Sequence, residues 1–194
     1  MSKLKRDDLY TLEDYAQIRE EFKARVMAEK QHRRVPVGPH VMLHFENRLI
    51  MQYQVQEMLR VERIFEPQGI QEELDTYNPL IPDGSNWKAT MMIEYEDPAV
   101  RDRELARLIG IEQKTWVRVE GFEKVYAIAD EDLERQNETK TSSVHFLRFE
   151  LTPEMVEAAK RGASISVGID HPHYTHQNSA LSSQTRQSLV ADLS

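Results

Sequence analysis

The run Asn47-Arg-Leu-Ile-Met-Gln-Tyr-Gln-Val-Gln-Glu-Met-Leu-Arg-Val-Glu-Arg-Ile-Phe65 constrains the fold of this chain more than any other stretch. It has no Gly or Pro and is rich in Leu, Met, Gln, Glu and Arg, which lose little rotamer freedom in a helix. At 100° per residue, Met51, Val55, Met58 and Phe65 fall on one face, with Leu59 on one flank and Ile50, Val61 and Ile64 on the other. The apolar arc spans roughly 220°, against ~100° for an ordinary surface helix. Such a helix needs cover on more than one side, so the reading is a central helix with the rest of the chain packed around it. Three polar residues fall inside the arc: Arg48, Gln54 and Glu62. A carboxylate there needs a partner or titrates at raised pH, which makes Glu62 a candidate proton-transfer group and Arg48 and Gln54 candidate ligand contacts. At the helix end, Glu62 can also simply reach water.

The surrounding patterns supply helices and strands in mixed order. Thr11 can cap a helix over about residues 12–31, with Tyr15, Ile18, Phe22 and Val26 at helical spacing. A breaker run at 35–39 follows. Lys30, Arg33 and Arg34 make a small basic cluster at that helix end, read as solvated. Residues 40–46 alternate, with Val41, Leu43 and Phe45 to one side and Met42, His44 and Glu46 to the other, and so form a short strand. A short helix over 69–77, a strand over 87–95 and a helix after Asp97-Pro98 come next. Two strands over 115–120 and 123–129 flank Gly121-Phe122, as in a type II′ hairpin. A polar loop over 130–141 leads to a strand over 143–151. A helix over 152–161 begins Thr-Pro, and 163–170 reads as the last strand. The expected class is α+β: a single domain over 1–176, with about six mostly antiparallel strands in a sheet or partial barrel, packed with the central and N-terminal helices. Residues 177–194 form a polar tail with a weak docked helix.

The net charge of −8 argues against general nucleic-acid binding, which needs a basic surface. The chain has no Cys, so its own thiolates can form no disulfide, zinc or iron–sulfur site. No apolar run approaches the ~20 residues of a membrane span, and the polar N-terminus lacks the apolar core of a signal peptide. A cytoplasmic protein without membrane contact is the expectation.

Phosphate-loop, dinucleotide, His-Glu-x-x-His and Gly-x-Ser-x-Gly signatures are missing. The best local cluster is Asp170-His-Pro-His-Tyr-Thr-His176. Pro172 favours extended backbone, which would put His171 and His173 on one side, with Asp170 and His176 completing a metal site. Imidazole plus carboxylate suits Zn, Fe, Ni or Mn. The plainer reading is a polar strand exit with ordinary hydrogen bonds. Mid-strand, His145 is either a core histidine or a base, and Arg148 either an ion-pair partner or a ligand contact. An acid/base site would require Glu62, His145 and His171 to converge.

Five phrases form an ordered set: Phe45-Glu-Asn-Arg48, residues 52–60, Lys88-Ala-Thr-Met-Met-Ile-Glu94, residues 141–150 and Val167-Gly-Ile-Asp-His-Pro172. Together they resemble an uncharacterised bacterial family catalogued as domain of unknown function 3501, over nearly the whole chain. Of the histidine segment, Asp170-His171-Pro172 and Tyr174 match that family's pattern, while His173 and His176 stand outside it. The resemblance implies no activity. It implies a setting beside rubrerythrin-like and iron–sulfur oxidoreductase proteins, and hence a redox or peroxide-defence partner. Three functional readings follow: an accessory protein that binds a partner or small ligand, a metal-dependent or acid/base enzyme, and a structural homodimer seamed along 47–65.

Overall fold

The computed structural model describes residues 2–131 and 139–194. It is an α+β fold with two antiparallel sheets and no closed barrel. Helix α1 (Leu12–Gln31) begins at Thr11, whose side chain accepts a hydrogen bond from Asp14 N at 3.1 Å. Strands β1 (Arg34–Pro36) and β2 (Val41–Glu46) follow, then α2 (Arg48–Val61), capped by Asn47 on Ile50 N. Next come α3 (Pro67–Tyr77), β3 (Asn86–Ile93), α4 (Pro98–Arg107), β4 (Thr115–Val119), β5 (Val125–Tyr126) and β6 (Ile128–Ala129). The chain closes with β7 (Val144–Glu150), α5 (Pro153–Lys160), β8 (Ile165–His171), β9 (Tyr174–Asn178) and α6 (Ser183–Val190).

The first sheet has the order β1-β2-β3-β7-β6, and the second has β5-β4-β8-β9. Period-two alternation decides which side chains meet. Leu43, Phe45, Trp87, Met91, Leu147 and Phe149 leave the first sheet on its inner face and join Val117, Val167 and Ile169 of the second in one buried core. Leu189 of α6 and Leu193 belong to the same core, and Trp87 Nε1 donates to the Leu189 carbonyl at 2.9 Å. The tail is therefore integral to the packing.

A second apolar cluster lies among α1, α2 and α3, including Tyr15, Phe22 and Val26, Met51, Val55 and Leu59, and Ile70 and Leu74. This corrects the expectation of a chain wrapped around 47–65: α2 is central to a helical layer, while the larger core lies between the sheets. The helix also stops earlier than its composition suggests. Arg63 takes a left-handed φ of 54°, and Ile64 N bonds back to the Leu59 carbonyl, ending α2 without a glycine. Its buried face is rotated as well, since Tyr53 and Gln56 are buried while Val61 and Phe65 are exposed. Gln56 is enclosed because its amide serves backbone: Oε1 accepts from Tyr10 N at 2.7 Å, and Nε2 donates to the Tyr10 carbonyl at 3.4 Å.

Two further expectations change. The stretch 123–129 is not one strand, for β5 pairs with β4 while β6 pairs with β7 in the other sheet. Gly121, with φ of 89°, occupies the second central position of the turn closed by Phe122 N to the Val119 carbonyl, so the turn is not type II′. Nor is β8 last: the chain reverses at Pro172-His173 and returns as β9. Of the polar loop expected over 130–141, residues 132–138 lie outside the described residues.

Candidate functional site

The outer face of the first sheet is not uniform. Register sets Arg34 of β1 opposite His44 of β2, His44 opposite Thr90 of β3, and Thr90 opposite Phe146 of β7. One cross-strand row thus runs from cationic through polar to aromatic. Beside it, Met92 pairs with Val144, which extends the apolar end. The helical layer stands over this face, and between them lies a cleft of about 680 Å³, within the range of small-molecule sites. Ile50, Met51 and Gln54 of α2 line it, as do Tyr77 and Leu80, and Lys30 closes the end nearest Arg34.

Two titratable groups two residues apart on β2 point into this cleft. Glu46 is 8 % exposed, and burial pushes its carboxyl above the usual range, although Thr90 Oγ1 donates to it at 2.8 Å and Lys30 and Arg33 pull the other way. His44 is lowered, by burial first and then by the Arg34 charge, which favours the neutral imidazole. Its Nε2 is buried and has no hydrogen-bond partner within the protein. Among the described residues, no other lining side chain carries such an atom. A buried polar atom without a partner costs about 1–3 kcal/mol. A ligand group reaching His44 Nε2 would recover that cost. The pair offers a neutral imidazole and a protonation-prone carboxyl side by side, a pattern that gathers at functional sites.

Arg33 is the fixed wall of the cleft. Buried, it donates to the Phe45 carbonyl at 2.9 Å and the Glu46 carbonyl at 3.0 Å, and pairs with Asp192 beyond α6. Its charge is thus spent inside the protein. Lys30 and Arg34 form no ion pair among the described residues, although Lys30 Nζ lies 5.8 Å from the Tyr53 ring centre. Among the described residues, Glu46 is the single carboxylate that lines the cleft.

The residues singled out in the sequence occupy separate environments. Glu62 caps the exposed C-terminal end of α2. His145 is fully buried on the inner face of β7: Nδ1 donates to Asp130 at 2.6 Å, and Nε2 lies 2.9 Å from Thr141 Oγ1 and 3.0 Å from the Ser142 carbonyl. His171 donates from Nε2 to the Ile109 carbonyl at 3.1 Å and accepts from His173 N at Nδ1. Among the described residues, the three share no hydrogen-bond partner. Arg48 pairs with Asp8, and Arg148 is held by Glu131 and Glu150. Gln54 alone of this set lines the cleft.

Strand alternation also sets Asp170 apart from His171, while the His171 and His173 rings lie 5.8 Å apart. Asp170 turns away from His171 to meet Lys124 Nζ and Tyr126 Oη, both at 2.7 Å. His176 sits on β9 opposite Ile169, its ring against Tyr174. Among the described residues, no group of three or more His, Asp or Glu side chains stands where it could hold a metal ion.

Sequence reasoning passed over His44, Glu46, Thr90, Lys30 and Arg34. The signal was the polar side of residues 40–46, two titratable groups on a strand that runs straight into a broadly apolar helix. Of the basic cluster at 30–34, expected as a solvated helix end, Arg33 is buried instead, while Arg34 is exposed and stands beside His44.

No match is found among curated proteins. A crystal structure described as a novel protein of unknown function from Burkholderia pseudomallei is 51% identical, covers 100% of both chains and superposes with a TM-score of 0.93. The family model described as Protein of unknown function (DUF3501) matches residues 3–193. The chain therefore belongs to the DUF3501 family.

Proposed function

We propose that this chain is a ligand-binding accessory protein whose site is the cleft between the helical layer and the outer face of the first sheet. One observation carries the reading: a cleft of about 680 Å³, mostly apolar in its walls, receives the partnerless Nε2 of His44 and the buried carboxyl of Glu46. Apolar walls with a few convergent polar groups are the usual build of a small-molecule site. The redox setting implied by the family resemblance supports placing the ligand in that chemistry.

The test is a fluorescence titration with N-phenyl-1-naphthylamine, a neutral apolar probe that brightens when removed from water. The full chain is expected to bind it at one saturable site. Met92→Trp, which fills the apolar end from a partly exposed position, is expected to abolish the signal while circular dichroism stays unchanged. Absence of saturable binding, or binding indifferent to Met92→Trp, would overturn the reading.

A further inference from the structure

The cleft is polarised along its length, and the polarity selects a ligand class. This inference rests on the cleft being a binding site. Across the sheet, the row Arg34–His44–Thr90–Phe146 fixes which end is which. At the β1 end stand two cations, Arg34 from the strand and Lys30 from the last turn of α1. Arg34 and Lys30 both oppose protonation of the His44 ring, while Glu94, which stands outside the cleft lining, favours it. At the β7 end the surface is Phe146, Val144 and Met92, roofed from the helical layer by Ile50, Met51 and Leu80.

The charges do not cancel within the cleft. Arg33 is committed to Asp192, and the Glu46 carboxyl, raised by burial, is engaged by Thr90. Lys30 and Arg34 remain, so the cationic end attracts an anion. A cationic ligand would meet those two charges, with Glu46, already bonded to Thr90, the single carboxylate among the described lining residues. An elongated neutral molecule would fill the apolar half and leave His44 Nε2 without an ionic partner.

We infer that the cleft takes an amphipathic carboxylate, an acid whose head group lies between Arg34, Lys30 and His44 and whose apolar body extends over Thr90 toward Val144 and Phe146. A single negative head suits the site better than a dianion, because the Glu46 carboxyl lies two residues from His44 on the same strand face and a second charge would crowd it. Charge-assisted hydrogen bonds are roughly twice as strong as neutral ones. That difference corresponds to about a tenfold change in affinity.

The experiment displaces N-phenyl-1-naphthylamine from the full chain with decanoate, decanol, decylamine and decyl phosphate, and repeats the series on a Lys30→Met, Arg34→Met double variant. Both side chains reach solvent, so the variant is expected to fold. Decanoate is expected to displace the probe at about one-tenth the concentration of decanol, and decylamine to be weaker than both. In the double variant decanoate and decanol should become equal. Probe binding with decanol as effective as decanoate would overturn the carboxylate assignment and leave the cleft reading intact. Decyl phosphate outcompeting decanoate would also overturn it, in favour of a dianionic head. A preference for decanoate that survives the double substitution would show that the head group lies elsewhere. Loss of probe binding in the parent chain would remove the cleft reading itself, and this inference with it.

Discussion

At the scale of single residues, Glu57 is a strong local electrostatic feature. Arg19 grips it in a two-point contact of 2.8 and 2.9 Å, and Tyr15 Oη donates at 2.8 Å. The Arg19 hydrogen bonds, more than any other influence, bring its carboxyl down to about 2. A depressed carboxyl pKa stabilises the fold above the unfolded value and loses that contribution as pH falls through the folded one. The window is therefore from about 4.5 down to about 2. Glu57→Gln is expected to lower the unfolding free energy by about 2 kcal/mol at pH 7, allowing for the water that reaches this half-buried group. Urea unfolding of both proteins should show the gap closing as pH falls from 5 toward 2. A gap that stays constant over that range would mean that Glu57 acts by packing instead. Glu62, which the helical wheel put in company with Met58 and Phe65, has no comparable environment. It lies past the last turn of α2, where the chain has already left the helix.

At the scale of elements, alternation and capping were readable and sheet membership was not. Residues 41–46, 86–93 and 144–150 each show the alternation that selects their buried faces, and Thr11, Asn47 and Thr152 each cap a helix. Local sequence does not say which strand pairs with which. The split of 123–129 between two sheets depends on partners 10 and 20 residues away, Thr115–Val119 on one side and Val144–Glu150 on the other. The cleft was hidden for the same reason. Arg34, His44, Thr90 and Phe146 meet only through the register of four strands. The joint between Arg33 and Asp192 is another long-range product, tying the end of α1 and two β2 carbonyls to the chain beyond α6. Both side chains are almost wholly enclosed. Asp192→Ala leaves a buried guanidinium without its carboxylate, a change that costs roughly 3–5 kcal/mol. Chemical denaturation should show a loss of that size. A loss under ~1 kcal/mol, the scale of an exposed pair, would mean that water replaces Asp192 and that the tail is only loosely docked.

At the scale of the whole molecule, two cores divide the work. The sheets and the helices α4, α5 and α6 build a slab whose inner face is apolar apart from the His145 cluster, and α1, α2 and α3 build a helical layer with its own cluster. The layer does not seal the outer face of the first sheet. Where it stands away, a row of side chains graded from Arg34 to Phe146 is left lining a cleft, and the ligand-binding account rests on that geometry. The most direct test uses the methionines, eight in the chain. Met27, Met51 and Met92 line the cleft, while Met155 lies in the core between the sheets. Methyl-labelled methionine spectra recorded during a decanoate titration are expected to show saturable shifts at Met27, Met51 and Met92, with Met155 unmoved. Shifts confined to methionines outside the cleft, or none at saturating decanoate, would contradict the account.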